Sequence, residues 1–381
     1  MQTRINPRSG DNLPALGFGW MRLPRTGGRI DMEKAEALFT AAVEGGVTYF
    51  DTAYIYPGSE RALGTLMRRT GLRDKVQIAT KMPLVLTRGP GDFNKFFSKQ
   101  LERLQVDTVE YYMLHMLGDL GTWERLVSWG IREWIAEKKA AGAIQNIGFS
   151  FHGGQGQFLK LLDAYDWDFA MIQYNYLDEH NQAGRAGLEA AAAKGLPVIV
   201  MEPLRGGRLA SGKPEGATAT LALRWVFDHP AVTCVLSGME NMEQLTENIA
   251  IASDALPGCL TDEERAAVSE VIRAVNHTTA VPCTVCRYCL PCPAGVDIPE
   301  CFTVRNVRAS GEKIQAWQQY MQNLGVMSRT PAYASKCTGC GICEPKCPQA
   351  IPIRAALRET AKVMEPWWIK PIMGAIRWWL K

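Results

Sequence analysis

The sequence predicts an α/β fold, namely a parallel (β/α)8 barrel of the TIM type followed by a smaller cysteine-rich module. Three observations support this prediction. Between about residues 14 and 240, eight short β-rich apolar runs alternate with segments whose apolar residues recur at helical spacing. That part of the chain has the length usual for an eight-fold barrel. Eight of the eleven cysteines then fall into two runs nearer the C-terminus.

The predicted strands are the apolar runs, and glycines end several of the helical segments between them. The eight runs are Leu16–Leu23, Val47–Ala53, Val76–Met82, Val109–Met116, Ala143–Phe151, Phe169–Leu177, Leu196–Leu204 and Val232–Met239. The first six residues, with the turn signal Gly10–Asp11, predict a hairpin at the barrel base. An open, doubly wound sheet is the structural alternative, but no G-x-G-x-x-G follows the first strand.

The barrel is expected to end with one more helix. Thr261 and Glu264 have the spacing of a capping box and predict a helix that continues to about Val275. The linker HTTAVP follows it. We therefore predict a barrel over residues 1–277, a cysteine module over 278–356 and a tryptophan-rich tail over 357–381.

Composition excludes several classes of partner and location. The formal net charge is +3 without a dense basic stripe, which argues against nucleic acid as a partner. The polar N-terminal residues lack the apolar core of a signal peptide, and no apolar run is long enough for a transmembrane helix. We expect a soluble, cytoplasmic protein.

Four polar residues fall at or near the carboxyl ends of successive predicted strands, where such barrels place their chemistry. Asp51 and Tyr56 follow the second strand, Lys81 ends the third and His115 ends the fourth. Hydride delivery to a carbonyl carbon leaves an alkoxide that needs a proton, and a phenol beside an ammonium can supply one. We predict Tyr56 as the proton donor, Lys81 as the group that lowers its pKa, Asp51 as the partner of Lys81, and His115 as the residue that orients the substrate oxygen.

These residues and their flanking words, DTAYIY (51–56), ATK (79–81) and MLH (113–115), resemble the catalytic tetrad of the aldo-keto reductases. The resemblance continues through GFS (148–150), QYN (173–175), EPL (202–204) and SGMENMEQLTEN (237–248), and it implies an oxidoreductase that uses NADP(H) or NAD(H). It places Ser150 and Gln173 at the nicotinamide carboxamide. The other cofactor-binding residues that it implies are Leu204 and, at the adenosine end, Ser237, Gly238, Met239, Gln244 and Asn248.

The sequence departs from the family pattern at the cofactor. Met201 and Glu202 stand where many members have an aromatic residue against the nicotinamide. Gln244 stands where an arginine often binds the 2′-phosphate of NADP. Arg205 and Arg208 are either substitutes for that arginine or solvated loop charges, so the choice between NADPH and NADH stays open.

The two cysteine runs indicate iron–sulfur chemistry. The first is Cys283, Cys286, Cys289 and Cys292, and the second is Cys337, Cys340, Cys343 and Cys347. The second run matches the C-x2-C-x2-C-x3-C-P pattern of bacterial ferredoxins, in which the last cysteine ligates the other cluster. We therefore assign Cys347 to the cluster of the first run and Cys292 to that of the second. A pair of structural zinc sites is the alternative, although zinc sites seldom use four cysteines in one run.

Fusions of an aldo-keto reductase barrel to such a module form a subfamily that the segments PCTVCRYCLPCPAGVDIP and CPQAIPI resemble. That resemblance implies a ferredoxin-like α+β module with two [4Fe–4S] clusters. The remaining cysteines, Cys234, Cys259 and Cys301, are expected to be buried or incidental thiols.

The tail, EPWWIKPIMGAIRWWLK, combines tryptophans with positive charge. We expect it to pack on the barrel or on a second subunit, because an exposed patch of this kind would aggregate. A helix lying in a membrane interface is the alternative.

The leading functional interpretation is an oxidoreductase that acts on a small carbonyl or alcohol substrate and exchanges electrons with a partner protein through its clusters. Hydride transfer moves two electrons and a cluster moves one, so a flavin or a radical intermediate would have to connect them. No flavin motif is recognisable. The alternative is a redox-sensing or electron-carrier protein whose barrel is not catalytic.

Overall fold

Eight parallel strands close into a barrel in the computed structural model, which describes residues 1–212, 214–324 and 331–367. The barrel strands are β3 (Leu16–Gly19), β6 (Tyr49–Asp51), β7 (Gln77–Met82), β8 (Val109–Leu114), β9 (Ile144–Phe151), β10 (Phe169–Gln173), β11 (Val198–Met201) and β12 (Val232–Ser237). Each lies within a predicted run, and β12 pairs with β3 to complete the closure. The barrel prediction is confirmed, and the open sheet is excluded.

Helices connect the barrel strands and cover them. They are α1 (Met32–Glu44), α2 (Ser59–Thr70), α3 (Gly91–Leu104), α4 (Leu120–Ser128), α5 (Ile131–Ala140), α6 (Gln155–Ala164), α7 (Gly184–Ala193), α8 (Ala219–Phe227), α9 (Met242–Asp254) and α10 (Asp262–Thr278). A small hairpin, β4 (Arg25–Thr26) with β5 (Arg29–Ile30), precedes α1. In the first helix, α1, the Asp31 side chain caps the N-terminus by accepting a hydrogen bond from the Lys34 amide. The apolar side chains of Leu38 and Phe39 face the core.

The N-terminal hairpin is formed as predicted. Strand β1 (Thr3–Ile5) pairs antiparallel with β2 (Asn12–Pro14). Leu13 is fully buried and packs with the residues that fill the barrel interior, among them Tyr49, Tyr111 and Met171. The hairpin therefore closes the base of the barrel, and the chemistry is left to the opposite, carboxyl end of the strands.

The predicted capping box starts α10. The Thr261 amide donates to Glu264 Oε2 at 2.9 Å, and the Glu264 amide donates to Thr261 Oγ1 at 3.2 Å. Because the two residues satisfy each other's amides, the helix begins where the sequence predicts.

The chain divides into two compact units. The first comprises Met1–Arg205, Leu209–Gly212 and Ala217–Arg265, and the second comprises the described residues from Ala266 onward with short pieces of the loop after β11. The second unit has α11 (Ile298–Ala309), α12 (Lys313–Gln319) and α13 (Ile353–Met364). Its core includes Cys301, Phe302, Tyr320 and Leu357.

Two expectations for the second unit need correction. Its described residues form helices and tight turns without a β-strand, so the α+β expectation does not hold for them. Asp297 caps α11 and Pro299 occupies its first turn, which are ordinary helix-start signals. Helix α13 also crosses the predicted boundary at 356/357, because Leu357 and Met364 pack in the core of this unit.

The tail lies mostly outside the described residues. Trp367 is described and exposed, whereas Trp368, Trp378 and Trp379, on which the docking prediction rests, are outside the described part of the chain. Over the residues that are described, no helix has both the length and the apolar character needed to cross a bilayer.

Candidate active site

The four predicted catalytic residues gather at the carboxyl end of three neighbouring strands. Asp51 is the last residue of β6, Lys81 is next to last in β7, and His115 directly follows β8. The parallel register pairs Asp51 with Ala79 and Lys81 with Met113, which brings the three strand ends to the same level. Tyr56 lies in the loop between β6 and α2.

Lys81 and Asp51 form a buried ion pair. The Lys81 Nζ atom donates to Asp51 Oδ1 at 2.7 Å, to Oδ2 at 2.6 Å and to the carbonyl oxygen of Thr52 at 2.8 Å. Lys81 is 1% exposed and Asp51 5%. All three ammonium protons thus have an acceptor, which is the condition under which a buried charge is tolerated.

Tyr56 and His115 complete the group. The Nζ atom of Lys81 lies 5.1 Å from the centroid of the Tyr56 ring, over its face. The His115 imidazole stands edge-on to the same ring, with a centroid distance of 5.9 Å and an interplanar angle of 87°. The structure therefore brings a phenol, an ammonium and an imidazole together, as the sequence predicts.

Burial governs the protonation of these groups. It lowers the pKa of Lys81 and raises the pKa of Asp51, and in each case the charge of the partner opposes the shift. Burial, followed by the Lys81 charge and then His152, lowers the pKa of His115 well below its usual value. His115 is therefore neutral at pH 7.

A layer of hydrogen-bonded polar residues lies behind Lys81, and the sequence analysis did not predict it. Glu60, on α2, accepts hydrogen bonds from Thr80 Oγ1 and Gln100 Nε2 at 2.8 Å each, and from Arg103 Nη1 at 2.9 Å. Gln100 also donates to the Lys81 carbonyl oxygen at 3.0 Å. The available signal was that Glu60 shares a helical face with apolar Leu63 and Met67.

The residues predicted at the nicotinamide are buried and already hydrogen-bonded. Ser150 Oγ accepts from the Met116 amide at 2.9 Å. Gln173 donates to Asp178 Oδ2 at 2.8 Å and accepts from Gln182 Nε2 at 2.7 Å. Leu204, farther along the rim, is half-buried.

The residues predicted at the adenosine end surround the start of α9. Ser237 accepts from Asn248 Nδ2 at 3.0 Å, and Met239 is buried. Gln244 folds back to accept from the Glu240 amide at 2.8 Å. Its side chain therefore caps its own helix.

Gly238 is exposed and bordered by an arginine that the sequence analysis did not single out. A Cβ atom at Gly238 would have the Gly19 carbonyl oxygen at 3.8 Å and Arg22 Cβ at 4.0 Å as neighbours. Arg22 follows the first barrel strand, β3. Arg22 lies far from Gly238 along the chain, and only the pairing of β12 with β3 brings the two together.

Of the two arginines considered for phosphate binding, Arg205 has another role. It is 7% exposed, and its Nε atom lies 3.0 Å from Asp178 Oδ2. Arg208 donates through Nη2 to Thr279 Oγ1.

Four non-glycine residues in the loops at this rim have positive φ angles, namely Met116 (59°), Gln182 (57°), Glu202 (56°) and Arg205 (47°). Backbone strain of this kind concentrates at functional sites.

Four of the cysteines of the second unit lie around one cavity. Cys283, Cys286, Cys289 and Cys347 line one small cavity. Burial, and after it the neighbouring thiols, raise the pKa of Cys289 to about 12. The last cysteine of the second run thus joins the first three of the first run.

Of the other four cysteines, three interact electrostatically. Cys343 is buried, and its pKa is raised by burial and further by Glu344, Cys337 and Cys292. Cys340 is exposed. Within the described ranges, no three His, Cys, Asp or Glu side chains form a group that could hold a metal ion. Cys234 and Cys301 are buried, and Cys259 is partly buried.

Comparison with known proteins identifies the barrel. Residues 15–220 match the family model described as the Aldo/keto reductase family. An aldo-keto reductase of Mycobacterium sp. (strain MCS) is 28% identical over 276 residues, which cover 70% of this chain and 89% of that protein. The aldo-keto reductase yakc of Schizosaccharomyces pombe, whose name specifies NADP(+), is 25% identical over 66% of this chain and 76% of its own length.

A solved structure gives the same result. The holo form of the aldo-keto reductase AKR11C1 from Bacillus halodurans superposes with a TM-score of 0.58 at 25% sequence identity, covering 71% of this chain and 96% of that one.

Proposed function

Because this chain belongs to the aldo/keto reductase family and is an oxidoreductase, we propose that its barrel reduces a small carbonyl compound to an alcohol with NADPH. The observation that carries the proposal is the buried Lys81–Asp51 pair directly below the ring of Tyr56. A buried ammonium without a catalytic duty would be an expensive structural element. In the reverse direction the same groups would oxidise an alcohol.

The roles of the residues follow from their charges. When bound, NADPH supplies the hydride. Lys81 holds a positive charge beside the Tyr56 phenol, which favours the phenolate and lets Tyr56 give its proton to the carbonyl oxygen. Asp51 keeps Lys81 charged and fixed in place. His115, being neutral, would donate a hydrogen bond to the substrate oxygen without carrying a charge of its own.

The nucleotide would bind at the mouth of the barrel, with its adenosine end near Gly238. Gly238 is exposed, and Arg22 alongside it offers a charged donor suited to a phosphate. Ser150 and Gln173 would bind the carboxamide of the nicotinamide, with Leu204 and Met239 as apolar neighbours. NADPH rather than NADH is proposed because of Arg22 and because the name of the Schizosaccharomyces pombe relative specifies NADP(+).

The test is the rate of NADPH-dependent reduction over a panel of aldehydes and ketones. Tyr56→Phe keeps the ring and removes the proton, so kcat/KM should fall by roughly 10²- to 10⁴-fold while NADPH still binds. A Tyr56→Phe protein with wild-type turnover would contradict this role. Tyr54→Phe, two residues earlier in the same loop, serves as the matched control.

We further propose that the second unit holds two [4Fe–4S] clusters. What supports this is the common cavity of Cys283, Cys286, Cys289 and Cys347, together with the effect of Cys292 and Cys337 on the pKa of Cys343. Four thiols are the donor set that such clusters take. A cube presents one iron to each thiolate, so its ligands lie farther apart than those around a single ion.

Iron analysis tests the clusters and their crossed ligands. The anaerobically purified protein should contain about eight iron atoms per chain, and Cys347→Ser about four. Cys286→Ser combined with Cys347→Ser should lose no more iron than either alone, whereas Cys340→Ser combined with Cys347→Ser should lose nearly all. Cys259→Ser is the control. Equal iron in the two double variants would contradict the crossed assignment.

The clusters would exchange single electrons with a partner protein. An anaerobic titration with NADPH tests whether the barrel reduces them. Bleaching of the visible iron–sulfur absorption would support electron transfer between the two units. Carbonyl reduction with an unchanged spectrum would instead make the clusters structural or sensory.

A further inference from the structure

His152 is a second histidine at the mouth of the barrel, and the catalytic scheme above gives it no role. It directly follows β9, just as His115 directly follows the neighbouring strand β8. Strands β8 and β9 pair in parallel with Leu114 opposite Phe149, so the two histidines extend from neighbouring strand ends. His152 therefore stands beside the group that orients the substrate oxygen.

A chain of hydrogen bonds runs from His152 to a buried carboxylate. His152 Nδ1 lies 3.0 Å from Gln182 Oε1, Gln182 Nε2 lies 2.7 Å from Gln173 Oε1, and Gln173 Nε2 lies 2.8 Å from Asp178 Oδ2. The residues of the chain come from the ends of β9 and β10 and from the loop after β10. Gln173, Asp178 and Gln182 are all buried.

The carboxylate fixes the direction of every bond in this chain. Arg205 and Asn175 also approach Asp178 Oδ2, at 3.0 and 3.2 Å, so that oxygen is an acceptor. Gln173 must then present its amide NH2 to Asp178 and its carbonyl oxygen to Gln182. Gln182 in turn presents its own NH2 to Gln173 and its carbonyl oxygen to His152.

The consequence is a single tautomer of His152. Because Gln182 Oε1 can only accept, His152 Nδ1 must carry the proton. Burial holds the pKa of His152 at about 4, so the ring is neutral at pH 7. A neutral imidazole protonated at Nδ1 has a lone pair at Nε2 and accepts a hydrogen bond there.

We propose that His152 Nε2 accepts a hydrogen bond from a hydroxyl group on the carbon next to the reacting carbonyl, which makes α-hydroxy carbonyl compounds the substrate class of this barrel. The inference rests on the reductase function proposed above. Tyr56 and His115 bind the carbonyl oxygen. His152, at the end of the adjacent strand, distinguishes substrates by whether the carbon next to the carbonyl carries a hydroxyl group. A site built to bind a hydroxyl rejects the analogue that lacks it.

The tautomer is tested without turnover. In the holoprotein labelled with ¹⁵N-histidine, two-bond ¹H–¹⁵N spectra distinguish Nδ1–H from Nε2–H imidazoles, and His152→Phe identifies the His152 signals. We expect the Nδ1–H form in the wild type and a mixture in Gln182→Leu, which removes the acceptor. An Nε2–H tautomer in the wild type would overturn the proposal.

The substrate class is tested with hydroxyacetone and acetone, which differ in one hydroxyl group. The wild type should have the higher kcat/KM for hydroxyacetone, and His152→Phe should lower the ratio of the two values about tenfold. His152→Gln, whose carboxamide retains an acceptor, should restore part of the ratio. This partial rescue separates a positioning role from a merely structural one.

The remaining outcomes each decide the matter. Activity toward carbonyl compounds without a preference for hydroxyacetone would overturn this proposal and leave the reductase function standing. Equal losses on both ketones in His152→Phe, with a raised KM for NADPH, would assign His152 to the nucleotide and also overturn it. If the wild type reduced no carbonyl compound at all, the reductase function would fail and this inference would fail with it.

Discussion

Lys81 directs its ammonium group at both carboxylate oxygens of Asp51, with Nζ–O distances of 2.7 and 2.6 Å. The pair is almost completely excluded from solvent, and the ring of Tyr56 lies over the ammonium. Asp51 therefore supplies the counter-charge of the ammonium group that lies against the Tyr56 ring. The function of this site can be tested through either member of the pair.

Asp51→Asn should impair both catalysis and folding. The substitution leaves a buried ammonium without its counter-charge, so Lys81 tends to lose its proton and no longer favours the Tyr56 phenolate. We expect kcat/KM to fall roughly 100-fold and the free energy of unfolding to drop by about 3 kcal/mol. Urea unfolding and steady-state kinetics measure the two effects. Glu102→Gln, which breaks the exposed Lys99–Glu102 pair, should change neither quantity.

Stability should decrease as the pH falls below neutrality, partly because of the two histidines at the site. The pKa of His115 lies well below its usual value and that of His152 is about 4, whereas both titrate near 6.5 in the unfolded chain. Between about pH 6.5 and 4 the His152 imidazole is protonated in the unfolded state and neutral in the folded state. The free energy of unfolding therefore decreases as the pH falls through this range.

Unfolding free energies at several pH values between 7.5 and 4.5 measure this slope. His152→Phe should flatten it, and His180→Gln, at an exposed position, should not. A slope that is the same in His152→Phe and in the wild type would show that His152 is protonated in the folded protein.

Arg22→Leu should weaken the binding of NADPH selectively. The guanidinium of Arg22, whose Cβ lies near the exposed Gly238, would bind the 2′-phosphate, which NADH lacks. We expect the Kd for NADPH to rise about tenfold and the Kd for NADH to stay the same, as measured by quenching of tryptophan fluorescence. Arg25→Leu, on the same rim, is the control. An equal loss for both nucleotides would place Arg22 elsewhere on the cofactor.

Gly64→Ala should destabilise the barrel through a steric clash. A Cβ atom at Gly64 would lie 2.5 Å from the carbonyl oxygen of Leu104, so helices α2 and α3 would have to separate. Overpacking of this kind costs about 1–3 kcal/mol. Gly91→Ala is the matched control, because a Cβ there meets nothing within 4 Å. Thermal unfolding of the two variants, compared at equal pH, gives the difference.

The barrel was predictable because parallel strands covered on both faces appear as continuous apolar runs, and all eight such runs became strands. The catalytic group was predictable for a related reason, since Asp51, Lys81 and His115 end successive strands and parallel strands bring their ends together. Tyr56 follows from its short distance to Asp51 along the chain.

The series of hydrogen bonds from His152 to Asp178 was not predictable in this way. Its contacts depend on the path of the loop after β10, where Gln182 adopts a φ angle of 57° that its residue type does not indicate. Helix α11 was missed for a different reason. The α+β expectation was taken over from the ferredoxin resemblance, although Asp297 and Pro299 are helix-start signals in the sequence itself.

Transfer of deuterium from NADPH to the alcohol product tests whether the barrel passes a hydride directly to the carbonyl carbon. The protein is given NADPH carrying deuterium in both positions at C4 of the nicotinamide, together with a carbonyl substrate in ordinary water under anaerobic conditions. Mass spectrometry of the alcohol should find one deuterium on the former carbonyl carbon. An alcohol without deuterium, formed while NADPH is consumed, would contradict direct hydride transfer, because the hydrogen on the former carbonyl carbon would have come from solvent.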